Sequence, residues 1–66
     1  MTDTEKLYEK IISMEQHAKG ITEIGTEALE FADPVEMCIL EGLTVEANDF
    51  GLRIEKLRLA IKETMK

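Results

Sequence analysis

The chain has 66 residues, of which 14 are acidic and 8 basic, with one cysteine, one histidine and no tryptophan. A fold of this length buries only about 60% of the surface that its unfolded chain exposes, so short chains rely on disulfides, a metal or a partner subunit. One cysteine and one histidine supply neither an internal disulfide nor the usual set of metal ligands. Composition therefore predicts an oligomer without a metal or another cofactor.

The balance of apolar and charged residues excludes further classes of protein. With 44% apolar and 33% charged residues the chain is predicted to fold, and it lacks the run of about 18 apolar residues that a membrane-spanning helix needs. The acidic N-terminus is unlike a secretion signal, and a lone free thiol suits the cytoplasm. A net charge of −6 disfavours direct contact with nucleic acid. We expect a cytoplasmic protein whose partner is another protein, a basic one being favoured.

The first predicted element is a helix over about residues 3–32. Thr2 or Thr4 can cap its N-terminus, and Asp3 and Glu5 suit the positive end of the helix dipole. Its apolar and small residues recur in alternating steps of four and three, which makes a heptad seam. The members of this first seam are Leu7, Ile11, Met14, Ala18, Ile21, Gly25, Ala28 and Ala32.

A turn is predicted at about residues 32–34, followed by a second helix over about 34–65. Asp33 can cap this helix, Pro34 fits its first position, and Glu36 can complete a capping box. A second heptad seam follows, with its steps in the same alternation. Its members are Leu40, Leu43, Ala47, Phe50, Ile54, Leu57, Ile61 and Thr64.

Together the two seams predict an all-α fold, a single helical-hairpin domain over residues 1–66. Four glycines lie inside the predicted helices, at a cost of about 1 kcal/mol each. They are Gly20, Gly25, Gly42 and Gly51. Breaks at Gly20 or Gly51 would give three or four short helices instead. We favour two long helices, kinked at most, because a seam rarely stays in register across a loop.

A further apolar row, the outer row, lies on the second helix opposite its seam. Its members recur every seven residues: Cys38, Val45, Leu52 and Leu59. A helix that is apolar on two faces needs a cover on both. We predict that the outer row is an interface with a second copy, which makes a four-helix bundle. The alternative is a free site for a target protein.

Acidic and basic residues are separated along the chain. Residues 20–52 hold eight acids and no base, and all eight bases lie outside this segment. Folding at Asp33 brings the acids to the turn end, where six of them form an acidic tip: Glu23, Glu27, Glu30, Asp33, Glu36 and Glu41. The hairpin is then an electrostatic dipole, so two copies are predicted to pair antiparallel.

No catalytic set of residues emerges from the sequence. His17 lacks the Glu three residues earlier that helical di-iron sites use, and helix-spaced glutamates are typical of a solvated face. No nucleophile, base and orienting group can be assembled. We therefore predict that the chain has no catalytic residues and is not an enzyme.

At several positions the sequence resembles the Rop family of plasmid copy-number proteins. They are Glu5, Lys6, Ala32 and Asp33 and, after a shift of two residues, Ile39, Glu41, Leu43 and Ala47. The resemblance implies an antiparallel dimer of helical hairpins. That family is associated with RNA binding through basic and polar side chains on its first helices. The corresponding outer face here is Glu9, Gln16, Glu23 and Glu30, which argues against RNA binding.

These features favour a non-enzymatic, acidic homodimer that binds and modulates a protein partner, in the manner of small phage-encoded inhibitors. Two alternatives are left open. One is a nucleic-acid mimic whose acidic tip occupies a basic groove of a DNA- or RNA-binding protein. The other is a structural subunit of a larger helical assembly.

Overall fold

The computed structural model describes residues 2–65 and consists of two long helices that pack against each other as a hairpin. Helix α1 spans Asp3–Ala28 and helix α2 spans Pro34–Thr64, in a rod of 48 × 17 × 12 Å. No strand occurs in the described part, so the predicted all-helical hairpin is confirmed. Neither helix is long and apolar enough to cross a bilayer over these residues. Met1 and Lys66, the ends of the predicted domain, lie outside the described residues.

A capping box is present at the start of each helix, as predicted for the second one, and the two boxes set where the helices begin. At α1 the Glu5 backbone N–H donates to Thr2 Oγ1 at 3.2 Å, and the Thr2 N–H donates to the Glu5 carboxylate at 3.3 Å. At α2 the Glu36 N–H donates to the Asp33 carboxylate at 2.8 Å, with the reciprocal bond at 3.0 Å. Each box satisfies two backbone donors that the first helical turn leaves unpaired. Thr2, and not Thr4, is therefore the N-cap of α1.

The first helix ends earlier than the predicted residue 32. After Ala28 the chain tightens into a 3₁₀ turn over Leu29–Phe31, and Ala32 is extended, with φ −95° and ψ 147°. The chain has to leave the helix before Asp33, because the residue before a proline is pushed out of the helical region and an N-cap residue is extended as well. Asp33 accordingly has a ψ of 171°. At the other end, α2 stops at Thr64, one residue before the predicted bound.

The glycines break neither helix. Both helices run through them, and no described glycine has a positive φ. Two of the four face the opposite helix: a Cβ on Gly25 would lie 2.5 Å from Thr44 Oγ1, and one on Gly51 would lie 3.6 Å from the Ala18 Cβ. Gly25 is thus where the absence of a side chain lets the helices approach closely.

Alanine substitutions at two of these glycines are expected to act in opposite directions. A Cβ on Gly42 would have nothing within 4 Å of it, so Gly42→Ala should raise the free energy of unfolding by about 1 kcal/mol. Gly25→Ala should lower it, because the new methyl displaces Thr44 Oγ1, which donates to the Leu40 carbonyl at 2.7 Å. Urea denaturation followed by circular dichroism measures both. An equal gain from the two variants would contradict the close helix approach at Gly25.

The core between the helices is small. Its buried apolar side chains are Ile11, Ala18, Ile54 and Ile61, with Tyr8 packed against them. The two heptad seams supply all four of these buried apolar side chains, yet three members of the first seam and four of the second are exposed: Leu7, Met14, Ile21, Leu43, Phe50, Leu57 and Thr64. Two helices touch along a line and can cover one stripe of each other, whereas a full heptad seam is two stripes wide.

Candidate interaction surfaces

The exposed large side chains of the two seams form one apolar surface that crosses both helices, here called the broad face. It consists of Leu7, Met14 and Ile21 from α1 and Leu43, Phe50 and Leu57 from α2. Within each helix the three residues are seven apart, so they lie in a row. Their exposed fractions range from 44% to 58%. Exposed apolar side chains in adjoining rows on two helices make the broad face a candidate interaction surface.

Two clefts show that the rows of the broad face adjoin. Met14, Ile21 and Phe50 line one cleft together. Ile21 also lines the next, with Leu40 and Leu43 from α2. Because Ile21 belongs to both, the apolar surface continues without interruption from the middle of the rod toward the turn.

The outer row lies on a different flank of the hairpin. Cys38 is a free, exposed thiol, and Val45, Leu52 and Leu59 are 60%, 50% and 47% exposed. Leu52 lines a third cleft, on the side of α2 that faces away from Phe50. This is expected because residues two positions apart in a helix point about 200° away from each other. The hairpin therefore carries two separate uncovered apolar surfaces. Sequence reasoning identified the outer row but missed the broad face, since a heptad pattern does not tell which members of a seam the other helix leaves exposed.

One ion pair connects the two helices near the outer-row flank. The Arg58 Nε donates to the Glu15 carboxylate at 2.7 Å, and the Glu15 side chain is only 11% exposed. The Glu15 carboxylate and the Tyr8 hydroxyl raise the pKa of Arg58 above its ordinary value, against a smaller opposing effect of desolvation. Both charges are satisfied by the pair, which links residues 43 apart in the chain. It was not predicted, because Glu15 stands among polar residues beside the first seam.

The acidic tip is an exposed cluster at the turn end. All six of its residues are exposed, and the carboxylates of Asp33 and Glu36 accept the hydrogen bonds of the capping box. No ion pair to these six residues occurs within residues 2–65. Residues 20–52 hold no base, so no basic side chain within this segment offsets the acidic tip.

No cluster of metal-binding side chains accompanies these surfaces in the described chain. His17 is exposed, and its Nδ1 donates to the Ser13 carbonyl at 2.7 Å. Throughout residues 2–65 no three His, Cys, Asp or Glu side chains are grouped so that they could hold a metal ion. The candidate sites of this hairpin are its surfaces.

Comparison with known proteins adds no relative to this description. No family model, curated protein or solved structure matches the chain. The resemblance to the Rop family stays a prediction, and the function has to be inferred from the two apolar surfaces and the charge distribution.

Proposed function

We propose that the chain is a non-enzymatic, homodimeric regulatory protein that pairs with a second copy and binds and modulates another protein. One observation carries this proposal: a thin helical pair exposes two apolar surfaces on different flanks. A second copy that covers one of them leaves the other for a different molecule.

The size of the core supports a dimer. Among residues 2–65 only four apolar side chains are buried between the helices, and even a complete core in a chain this short rarely contributes more than about 3–5 kcal/mol. Covering a second surface adds the apolar burial that the isolated hairpin lacks. Folding and pairing are then coupled, as in other obligate homodimers.

The broad face suits a second copy better than the outer row does. It extends across both helices of a rod that is 48 Å long and 17 Å wide, and stable interfaces are broad surfaces of this kind. The outer row is one residue wide. We therefore assign the subunit contact to the broad face. This differs from the sequence analysis, which favoured the outer row as the subunit contact. Two hairpins joined in this way make a four-helix bundle.

Charge supports an antiparallel arrangement of the two copies. Residues 20–52, at the turn end, carry a net charge of −8, and the rest of the chain carries +2. Antiparallel pairing places each acidic turn end beside the open end of its partner, whereas parallel pairing brings both acidic ends together.

The nucleic-acid mimic is a second candidate, which the exposed acidic tip favours. Target binding by a mimic depends on its carboxylates and weakens strongly with salt. Binding through an apolar surface is less sensitive to salt and is lost when apolar residues are replaced.

Sedimentation equilibrium at micromolar concentration tests the dimer. The expected mass is twice the 7.5 kDa of one chain. A well-folded monomer would contradict the proposal. Growth beyond the dimer with rising concentration would favour the structural subunit of a helical assembly.

A further inference from the structure

We infer that the outer row is the surface that the partner protein recognises, and that the partner receives α2 in an apolar groove with a basic rim. This inference rests on the proposed function, in which the second copy covers the broad face. Beyond that function, it identifies which surface of the hairpin binds the partner protein and what chemistry the partner's binding site has.

The outer row has the shape of a ridge. From Cys38 to Leu59 it extends for about 32 Å along α2, at 1.5 Å per residue. Its residues are about half exposed along this length. A straight apolar ridge on one helix is the feature that groove-binding helices present to their partners.

A second copy does not fit this ridge. Helices that pair as a coiled coil need apolar residues at two positions of each heptad, but the neighbouring positions along the outer row are polar. They include Glu41, Asn48, Asp49, Glu55 and Lys56. The corresponding outer face of α1 is Glu9, Gln16, Glu23 and Glu30, all exposed. Two such ridges would touch along a single line, whereas a groove covers the ridge from both sides.

The charges beside the ridge specify the rim of the groove. Glu41 and Asp49 lie within about one helical turn of Cys38 and Val45, and no base occurs on α2 before Arg53. Beside the second half of the ridge the charges are mixed, since Glu55 and Lys19 both line the cleft at Leu52 and Lys56 follows Glu55. Lysine or arginine side chains beside the first half of the ridge would complement Glu41 and Asp49, and the uneven charge would orient α2 within the groove. The partner is therefore a protein with a basic-rimmed apolar groove.

The first step of the test is to find the partner and keep the dimer intact. Wild-type protein captures binding proteins from a lysate of the native host, and each captured protein is purified. It is then titrated with wild-type protein, with Leu52→Glu and with the control Val35→Glu. Val35 is 70% exposed on α2 but lies outside the outer row. Sedimentation of each variant shows whether the dimer is retained.

We expect Leu52→Glu to remain a helical dimer and to lose about 100-fold or more in affinity, since a charge replaces a central apolar anchor. Val35→Glu should stay within about threefold of wild type. The double variant Glu41→Gln with Glu55→Gln should weaken binding about tenfold at low salt and little at high salt, because it removes two charges that face the rim.

Three outcomes would overturn the inference. The first is a dimeric Leu52→Glu that binds the partner as wild type does, which leaves the proposed function standing. The second is that no captured protein depends on Leu52. The third is loss of binding on Glu27→Gln with Glu30→Gln but not on Leu52→Glu, which assigns the target to the acidic tip. A monomeric wild-type protein would instead refute the proposed function, and a monomeric Leu52→Glu would return the outer row to the subunit contact.

Discussion

Phe50→Glu is expected to abolish the dimer and most of the helix content, whereas Leu52→Glu should change neither. The two side chains are almost equally exposed on the hairpin, at 52% and 50%, and they lie two residues apart on α2. They differ in flank: Phe50 belongs to the broad face and Leu52 to the outer row. In a dimer formed through the broad face, Phe50→Glu buries two unpaired charges, at a cost of several kcal/mol. In the proposed dimer folding and pairing are coupled, so the chain should unfold.

Circular dichroism and sedimentation on these two variants measure the effect. Leu52→Glu is the matched control, because it introduces the same charge at the same exposure on the same helix. Equal loss of helix content in both variants would contradict the assignment of the broad face. Loss in Leu52→Glu alone would show that the outer row is the subunit contact.

Ile54→Ala should have the second largest effect, lowering the free energy of unfolding by about 2–5 kcal/mol. Ile54 is 5% exposed and belongs to the only apolar cluster between the helices of the described chain. Truncation leaves a cavity between the two helices, and no neighbouring side chain of this small core fills it. The loss is comparable to the whole stability that a core of this size supplies, so the variant should be largely unfolded.

The control for Ile54→Ala is Val45→Ala, in the outer row. Val45 is 60% exposed, and the dimer leaves it uncovered, so its truncation should cost less than about 0.5 kcal/mol. Urea denaturation monitored by circular dichroism compares the two. A wild-type midpoint for Ile54→Ala would show that the core lies elsewhere.

The helix starts were predictable because their determinants are local. Each capping box joins residues three apart, so Thr2 with Glu5 and Asp33 with Glu36 can be recognised in the sequence alone. The end of α1 was placed too late because the seam continues through Ala32. Periodicity gives no signal for the 3₁₀ turn over Leu29–Phe31, which separates the end of α1 from Asp33, the residue that the following proline keeps extended.

The exposure of the broad face was not predictable from periodicity. A heptad pattern tells which side chains share a face of a helix, but not how many other helices cover that face. Leu43 and Ile54 belong to the same seam, yet one is 54% exposed and the other buried. The pair of Glu15 and Arg58 had no local signal either, since 43 residues separate its members.

The distance between the two Cys38 thiols tests the antiparallel dimer most directly. Cys38 is the only cysteine of the chain and is exposed, so the wild-type protein takes one spin label per subunit. Cys38 lies in the second helical turn of α2, near the end of the 48 Å rod where the two helices are connected. Pulsed electron paramagnetic resonance should give a single distance of about 35 Å or more, because antiparallel pairing places the two turn ends at opposite ends of the bundle. A distance under about 25 Å, as in a parallel pair, or the absence of dipolar coupling, as in a monomer, would contradict the account.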